Sequence, residues 1–176
     1  MIWLYIMVDR ILIDTLHLKA HEFVRRWKYK LQKSPQLKRY NTLTDEQLDA
    51  HAGVYPALAH TLDRGLDRSY VGGYFVGLAK TRMKEGYPIS EIVYAMSLAQ
   101  QTVIEYIMND FLTDNPLKMY QTMETVNRVA EFFFLGCFYI TKGFLEATYT
   151  EMSGKDAVSE ELLKKYFKDD FFFKQN

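Results

Sequence analysis

The chain has 176 residues, of which 48% are hydrophobic and 15% aromatic, which is enough apolar material for the core of one domain. Its 22 basic and 22 acidic residues cancel, so the charge balance argues against nucleic acid as a partner. The single cysteine, Cys137, excludes an internal disulfide framework and fits a reducing cytoplasm.

The first eight residues form an apolar run that ends at Asp9. This run is far shorter than the roughly 20 residues that a membrane-spanning helix needs. It also lacks the basic segment and the small-residue cleavage site of a signal peptide. We interpret residues 1–8 as a helix start, an interface strip or sequence upstream of the true start, and expect no membrane span.

Apolar residues recur at helical spacing along most of the chain, and no strand pattern competes with them. This pattern predicts an all-α fold, a bundle of about five to six helices. A helical domain is expected over residues 9–152, followed by a short helical tail over 153–176. The expected helices cover residues 9–33, 44–62, 70–84, 90–112 and 117–151, with a further short helix at 159–172.

Local signals mark several helix boundaries. Thr44 and Gln47 are spaced as a capping box, and Pro56 is expected to bend the second helix or to split it in two. Asn115 and Pro116 have the residue types of a helix cap and a first helical position. These signals predict the starts of the second and fifth helices.

A sharp corner is predicted between the third and fourth helices. Gly86 can adopt the left-handed conformation that ends a helix, and Pro88 cannot continue it. Ser90 and Glu91 then supply a hydroxyl and an acid to the start of the next helix.

The third and fifth helices have unusual compositions. Gly72, Gly73 and Gly77 favour a close helix contact, with a gap left for a ligand as the alternative. The fifth helix is apolar on more than one face, which is typical of a central helix or of one shared with a second subunit.

Two sets of residues have the types and spacing of cofactor ligands. Asp14, His17 and His21 follow metal-ligand spacing on one predicted helix, but no second pair of matching residues accompanies them, which favours an ordinary polar face. His60 is the candidate axial ligand of a haem, although a lone histidine on a helix is more often structural or exposed.

The remaining reactive residues favour a structural interpretation. Cys137 lies in an apolar helix, where a buried and inert thiol is expected.

A basic run without acidic residues can face a phosphate or an acidic partner, or simply solvent. The run comprises Arg25, Arg26, Lys28, Lys30, Lys33, Lys38 and Arg39. No phosphate-binding loop, nucleophile elbow, Cys-x-x-Cys or carboxylate dyad is visible, so we expect no enzyme and no cofactor.

The order of several residues resembles the N-terminal sensor domain of the RsbR and RsbRD stressosome co-antagonists, a domain type that is similar to sensor regions ahead of some bacterial histidine kinases. The resemblance covers roughly residues 16–145 and implies a globin-like helical fold that lacks haem, forms a dimer and passes a signal to an output domain. It rests on Trp27 before Ser34-Pro35, on Leu43-Thr44 with Glu46 and Leu48, and on Arg82 followed by Gly86-Tyr-Pro-Ile-Ser-Glu91.

The chain departs from this family in two ways. Leu78 stands where family members often carry a histidine, and no output domain follows before Asn176. The resemblance therefore implies a stand-alone sensor or adaptor acting through a partner chain. It assigns structural roles to Trp27, Gly86 and Pro88, and an ion pair across the corner to Arg82 and Glu91.

The sequence thus predicts a cytoplasmic, non-catalytic signalling domain that responds to a ligand or a protein partner. We expect a homodimer formed through helix 117–151 and the N-terminal strip. The rival hypotheses are a haem-dependent gas or redox sensor using His60 and a metal-binding protein. A ligand pocket among the third to fifth helices is expected to be lined by Tyr74, Arg82, Tyr94, Gln101, Phe133 and Cys137.

Overall fold

The fold is all-α. A computed structural model describes residues 2–111 and 115–153, with side chains for residues 10–110 and from Asn115 onward. Within these ranges there is no strand, which confirms the predicted fold class; the globin-like arrangement itself stays a prediction. A 3₁₀ turn spans Tyr40–Thr42. The helices are α1 (Ile2–Leu18), α2 (Ala20–Gln32), α3 (Asp45–Ala50), α4 (Val54–Arg64), α5 (Arg68–Lys84), α6 (Ile89–Phe111) and α7 (Pro116–Met152).

The helix predicted over residues 9–33 is two helices. The chain breaks at Lys19, whose φ of −122° and ψ of 28° are not helical. No glycine or proline causes this break. It redirects the chain, because α1 packs mainly against α4 whereas Phe23, Trp27 and Leu31 of α2 face α6.

The helix predicted over residues 44–62 is also split, at residues 51–53 and not at Pro56. The capping box is confirmed, since the Gln47 N–H donates to Thr44 Oγ1 at 3.3 Å and the Thr44 N–H donates to Gln47 Oε1 at 2.9 Å. Pro56 lies in the first turn of α4, where its missing N–H has no helical acceptor to lose.

The corner between α5 and α6 forms as predicted. Gly86 has a φ of +79°, its N–H donates to the Met83 carbonyl oxygen at 2.9 Å, and the Tyr87 N–H donates to the Arg82 carbonyl oxygen at 2.9 Å. These two bonds make the left-handed cap that satisfies the last carbonyls of α5.

Helix α6 begins at Ile89, directly after Pro88, so Ser90 and Glu91 lie in its first turn as predicted. The Glu91 carboxylate accepts from the Arg39 and Tyr40 N–H groups, however, and not from N–H groups at the start of its own helix as expected.

Helix α7 packs closely against α5 through its own glycines. A Cβ atom at Gly143 would lie 2.9 Å from the Val76 backbone, and one at Gly136 would lie 2.6 Å from the Phe75 ring. The close contact expected at Gly73 and Gly77 is wrong, because both are exposed and a Cβ there would meet nothing within 4 Å. The third glycine of that group, Gly72, is buried.

Helix α7 starts as predicted, since Asn115 Oδ1 accepts from the Leu117 and Lys118 N–H groups at 3.0 and 3.2 Å, and Pro116 is the first helical residue. It ends at Met152, within one residue of the expected position. The short helix predicted at 159–172 lies outside the described residues. No helix in the described ranges is both long enough and apolar enough to cross a membrane.

Candidate functional site

One face of α7 exposes large apolar side chains. Phe134 and Phe138 are 70% and 52% exposed, and Tyr120 and Met123, farther towards the start of the helix, are 60% and 45% exposed. These residues recur at helical spacing, so they share one face. Isolated exposed apolar residues are ordinary, whereas exposed apolar residues gathered on one face are typical of an interaction surface. We call the side of α7 formed by these four residues the α7 outer face.

The opposite face of α7 builds the core. Val129, Phe132, Phe133 and Ile140 are each at most 1% exposed, and Phe132 packs against Phe75 with ring centroids 5.3 Å apart. One helix therefore presents two apolar faces on opposite sides. This explains why the sequence is apolar nearly all round in this region.

Charged residues accompany the two phenylalanines of the outer face. Glu131 is exposed one turn before Phe134. The Lys142 ammonium lies 5.3 Å from the centre of the Phe138 ring, a cation–π arrangement. An acidic side chain thus precedes the two phenylalanines along α7, and a basic side chain follows them.

A second cluster of polar and aromatic groups lies at the α5–α6 corner. Arg82 is buried and donates from Nη1 to Glu85 Oε2 at 2.6 Å. Its guanidinium carbon lies 5.6 Å from the centre of the Tyr87 ring, and that of Arg39 lies 5.4 Å from the same centre. Both cations are therefore held against one tyrosine.

Glu91 fastens the corner to the loop after α2. Its Oε2 atom accepts from the Arg39 N–H at 2.8 Å and from the Tyr40 N–H at 3.4 Å, so it holds the start of the 3₁₀ turn. The expected ion pair between Arg82 and Glu91 is wrong. Each has a different partner, because Glu91 points across to the loop and not back over the corner.

His51 completes this cluster, a position that its isolation in the sequence did not reveal. Its ring lies 5.6 Å from Tyr40 and 5.5 Å from Tyr87, and its buried Nδ1 atom has no partner among the described residues. Burial, assisted by the nearby Arg82 cation, lowers the pKa of His51 from 6.5 to about 4. The ring is therefore neutral at pH 7 and a weak base.

Burial also keeps the neighbouring tyrosines protonated. It raises the pKa of Tyr40 far above its usual value, and the adjacent Arg82 only partly opposes this rise. The pKa of Tyr87 is raised by burial in the same way. The corner therefore holds a neutral histidine, neutral phenols and paired charges, which is typical of a structural cluster.

The six residues of the predicted ligand pocket have unlike surroundings. Phe133 is in the core, and Tyr74 is half-buried with its ring 4.9 Å from Phe75. Burial raises the pKa of Tyr74 to about 12, which the Arg82 cation opposes, and burial raises the pKa of the Cys137 thiol. Cys137 is half-buried and not fully buried as expected, and the raised pKa keeps its thiol protonated.

The other members of that pocket lie on α6 and at the corner. Tyr94 is partly exposed, and Gln101 is exposed and donates from Nε2 to Glu105 Oε1 at 2.8 Å. Tyr94 lines an open groove at the start of α6 together with Gln36, Leu37, Ser90 and Glu91. A pocket shared by all six residues stays a prediction.

The rival hypothesis of a metal site at Asp14, His17 and His21 is wrong. Asp14 pairs with Arg10 at 3.3 Å, and the break at Lys19 separates the two histidines onto different helices. No group of three His, Cys, Asp or Glu side chains in the described residues is placed to hold a metal ion.

His60 lies exposed on α4, with its ring centroid 4.3 Å from that of Tyr70. The haem hypothesis that depends on it stays a prediction. Trp27, by contrast, fills the core as expected and donates from Nε1 to the Ala95 carbonyl oxygen at 2.9 Å.

The basic run of α2 has acidic partners from other helices. Lys28 pairs with Asp49 of α3 at 2.7 Å, and Lys30 pairs with Glu105 of α6 at 2.8 Å. The run contains no acidic residue in the sequence, but the fold brings acidic residues of other helices next to Lys28 and Lys30. The run therefore ties α2 to its neighbours.

Comparison of the chain with protein-family models, with curated proteins and with solved structures finds no match.

Proposed function

We propose that this chain is a cytoplasmic, non-catalytic signalling domain that works as a homodimer and responds to a ligand or a protein partner. Its resemblance to the sensor domains of stressosome co-antagonists supports a role in a bacterial stress response. The observation that carries the proposal is the α7 outer face, where Phe134 and Phe138 are 70% and 52% exposed.

Covering the two exposed phenylalanines of this face contributes favourable energy to a dimer. A phenylalanine buries about 200 Å², so covering the exposed parts of both rings in two chains removes about 490 Å² from water. At about 25 cal/mol per Å² this contributes about 12 kcal/mol. Association costs about 4–15 kcal/mol and a stable interface buries about 1,200–2,000 Å² in total, so the two rings supply only part of what a dimer needs and neighbouring residues of α7 must supply the rest.

Helix α7 also provides a route from the core to the interface. Its inner face meets α5 at Gly136 and Gly143, where little space separates the helices. Its outer face carries Phe134 and Phe138. A ligand or partner that shifts α5 against α7 would therefore move the dimer contact, because one rigid helix carries both.

The corner cluster supports a role without catalysis. A general base works best when its pKa lies near the operating pH, whereas burial lowers that of His51 to about 4. Arg82 is occupied by Glu85, and the Glu91 carboxylate by two backbone N–H groups. We assign these residues to holding α5, α6 and the loop after α2 together.

The test compares the double variant Phe134→Ser/Phe138→Ser with the control Tyr29→Ser. Tyr29 is 61% exposed on α2, away from the outer face. Light scattering should give the mass of two chains for the wild type and the control, and of one chain for the double variant. Unchanged circular dichroism would show that the variants are folded. A double variant that stays dimeric would refute the assigned surface.

A further inference from the structure

We infer that two copies of α7 pack antiparallel, outer face to outer face, about a two-fold axis that passes the outer face at the level of Gly136, between Phe134 and Phe138. This inference rests on the homodimer proposed above and specifies how its surfaces meet. A symmetric dimer uses the same patch on both chains, so a residue of one chain meets a different residue of the second copy.

The spacing of apolar residues along α7 is self-complementary about Gly136. Phe134 and Phe138 lie two residues to either side of it, so each phenylalanine of one chain meets the other phenylalanine of the second copy. Tyr120 and Met152 lie sixteen residues to either side, and the same symmetry places them opposite each other. Exposed apolar groups of one chain thus meet apolar groups of the second.

A third pair follows the same rule. Met123 and Tyr149 lie thirteen residues to either side of Gly136, and both belong to α7. Met123 is 45% exposed and Tyr149 is half-buried, so each has surface to contribute. Asn127 falls opposite Leu145, a polar residue facing an apolar one, and that layer contributes little.

The charges select the antiparallel direction. Glu131 precedes Gly136 by five residues and Lys142 follows it by six, so antiparallel packing places Glu131 of each chain beside Lys142 of the second copy. A parallel pair in register would place Glu131 against Glu131 and Lys142 against Lys142. Like charges across a helix interface disfavour that arrangement.

Single-cysteine variants test the direction. Tyr120→Cys and Met152→Cys are each prepared in a Cys137→Ser background, and one of the two variants carries a cleavable tag. The variants are oxidised separately and also as a mixture that has been unfolded and refolded together. At 1.5 Å per residue, the two copies of position 120 lie about 48 Å apart in the antiparallel dimer. A disulfide needs Cα atoms within about 7 Å.

We expect each variant alone to give no covalent dimer under mild oxidation, and the mixture to give a disulfide-linked dimer containing one tagged chain. Covalent dimers from each variant alone would show parallel packing and overturn the inference. A dimer by light scattering without cross-links in any sample would also overturn it, with the dimer formed elsewhere. A monomeric wild type would refute the proposed function itself, which separates the two failures.

Charge reversal provides a second test with an internal rescue. Glu131→Lys and Lys142→Glu should each weaken the dimer about tenfold, since each places like charges together across the interface. The double variant should return the dissociation constant to near the wild-type value. Lys38→Glu, on an exposed loop residue, is the control. A double variant as weak as either single variant would contradict the pairing.

Discussion

Gly143 of α7 lies directly against the backbone of Val76 in α5. A Cβ atom at position 143 would stand 2.9 Å from both the Val76 Cα and its carbonyl oxygen. Real Cβ atoms do not approach backbone so closely, so the crossing of α5 and α7 depends on glycine here. This contact packs α7, the helix that exposes Phe134, against the core.

Gly143→Ala should therefore destabilise the protein by about 1–3 kcal/mol, as overpacking does in a core that cannot move apart. Gly77→Ala is the matched control, because Gly77 lies within α5 and a Cβ there meets nothing within 4 Å. That control should stabilise the protein by about 0.5–1 kcal/mol through helix propensity. Urea unfolding followed by circular dichroism measures both, and equal effects would contradict the packing.

Gly136→Ala should cost less than Gly143→Ala. The atom that a Cβ at 136 would meet is the Phe75 ring, at 2.6 Å, and a side chain can shift where a backbone cannot. Phe75 is fully buried, so the shift is small and some cost remains. Thermal unfolding of both variants would give the order, and a larger loss at Gly136 would count against this explanation.

Glu91→Ala should destabilise the protein by about 2–3 kcal/mol, because it leaves the Arg39 and Tyr40 N–H groups without their charged acceptor. Glu91→Gln keeps an acceptor but loses the charge, and should fall between the alanine variant and the wild type. Glu46→Ala, on exposed α3, should change stability by no more than about 0.5 kcal/mol. Chemical denaturation measures the free energy of unfolding of the three variants. A Glu91→Ala variant as stable as the wild type would refute the role of Glu91.

Stability should fall as the pH drops from 6.5 towards about 4. In that window the unfolded chain protonates His51, whereas burial and the Arg82 cation keep the folded ring neutral by lowering its pKa to about 4. The unfolded state thus binds more protons, and acid favours it. A single histidine contributes at most one proton to this slope, and the half-burial of His51 reduces its contribution further.

His51→Gln should reduce this pH dependence, and His21→Gln, on an exposed residue of α2, should leave it unchanged. The midpoint of urea unfolding at several pH values between 7 and 4.5 is the measurement. An identical slope in the wild type and in His51→Gln would show that other groups cause the acid sensitivity.

The sequence predicted those features that local chemistry decides. The capping box of Thr44 and Gln47, the cap at Asn115 and the left-handed Gly86 each depend on residues within one turn of the chain. Such signals work without knowledge of the tertiary structure. The structural role of Trp27 was predicted from the family resemblance, and the side chain is buried in the core.

Features that depend on distant contacts were missed. The residues around Lys19 are good helix formers, and the break there follows from α1 and α2 packing against different helices. The sequence marked Gly73 and Gly77 as small but not as outward-facing. Likewise, His51 and Glu91 reach the corner cluster only when α3 and α6 are brought together by the fold.

In the proposed dimer, the α7 outer face joins two copies of this chain. Sedimentation equilibrium of the unmodified protein, over a wide range of dilution, tests it most directly. The account predicts the mass of two chains at micromolar concentration, falling to one chain only on strong dilution. A mass of one chain throughout that range would contradict the account and leave Phe134 and Phe138 without the assigned partner.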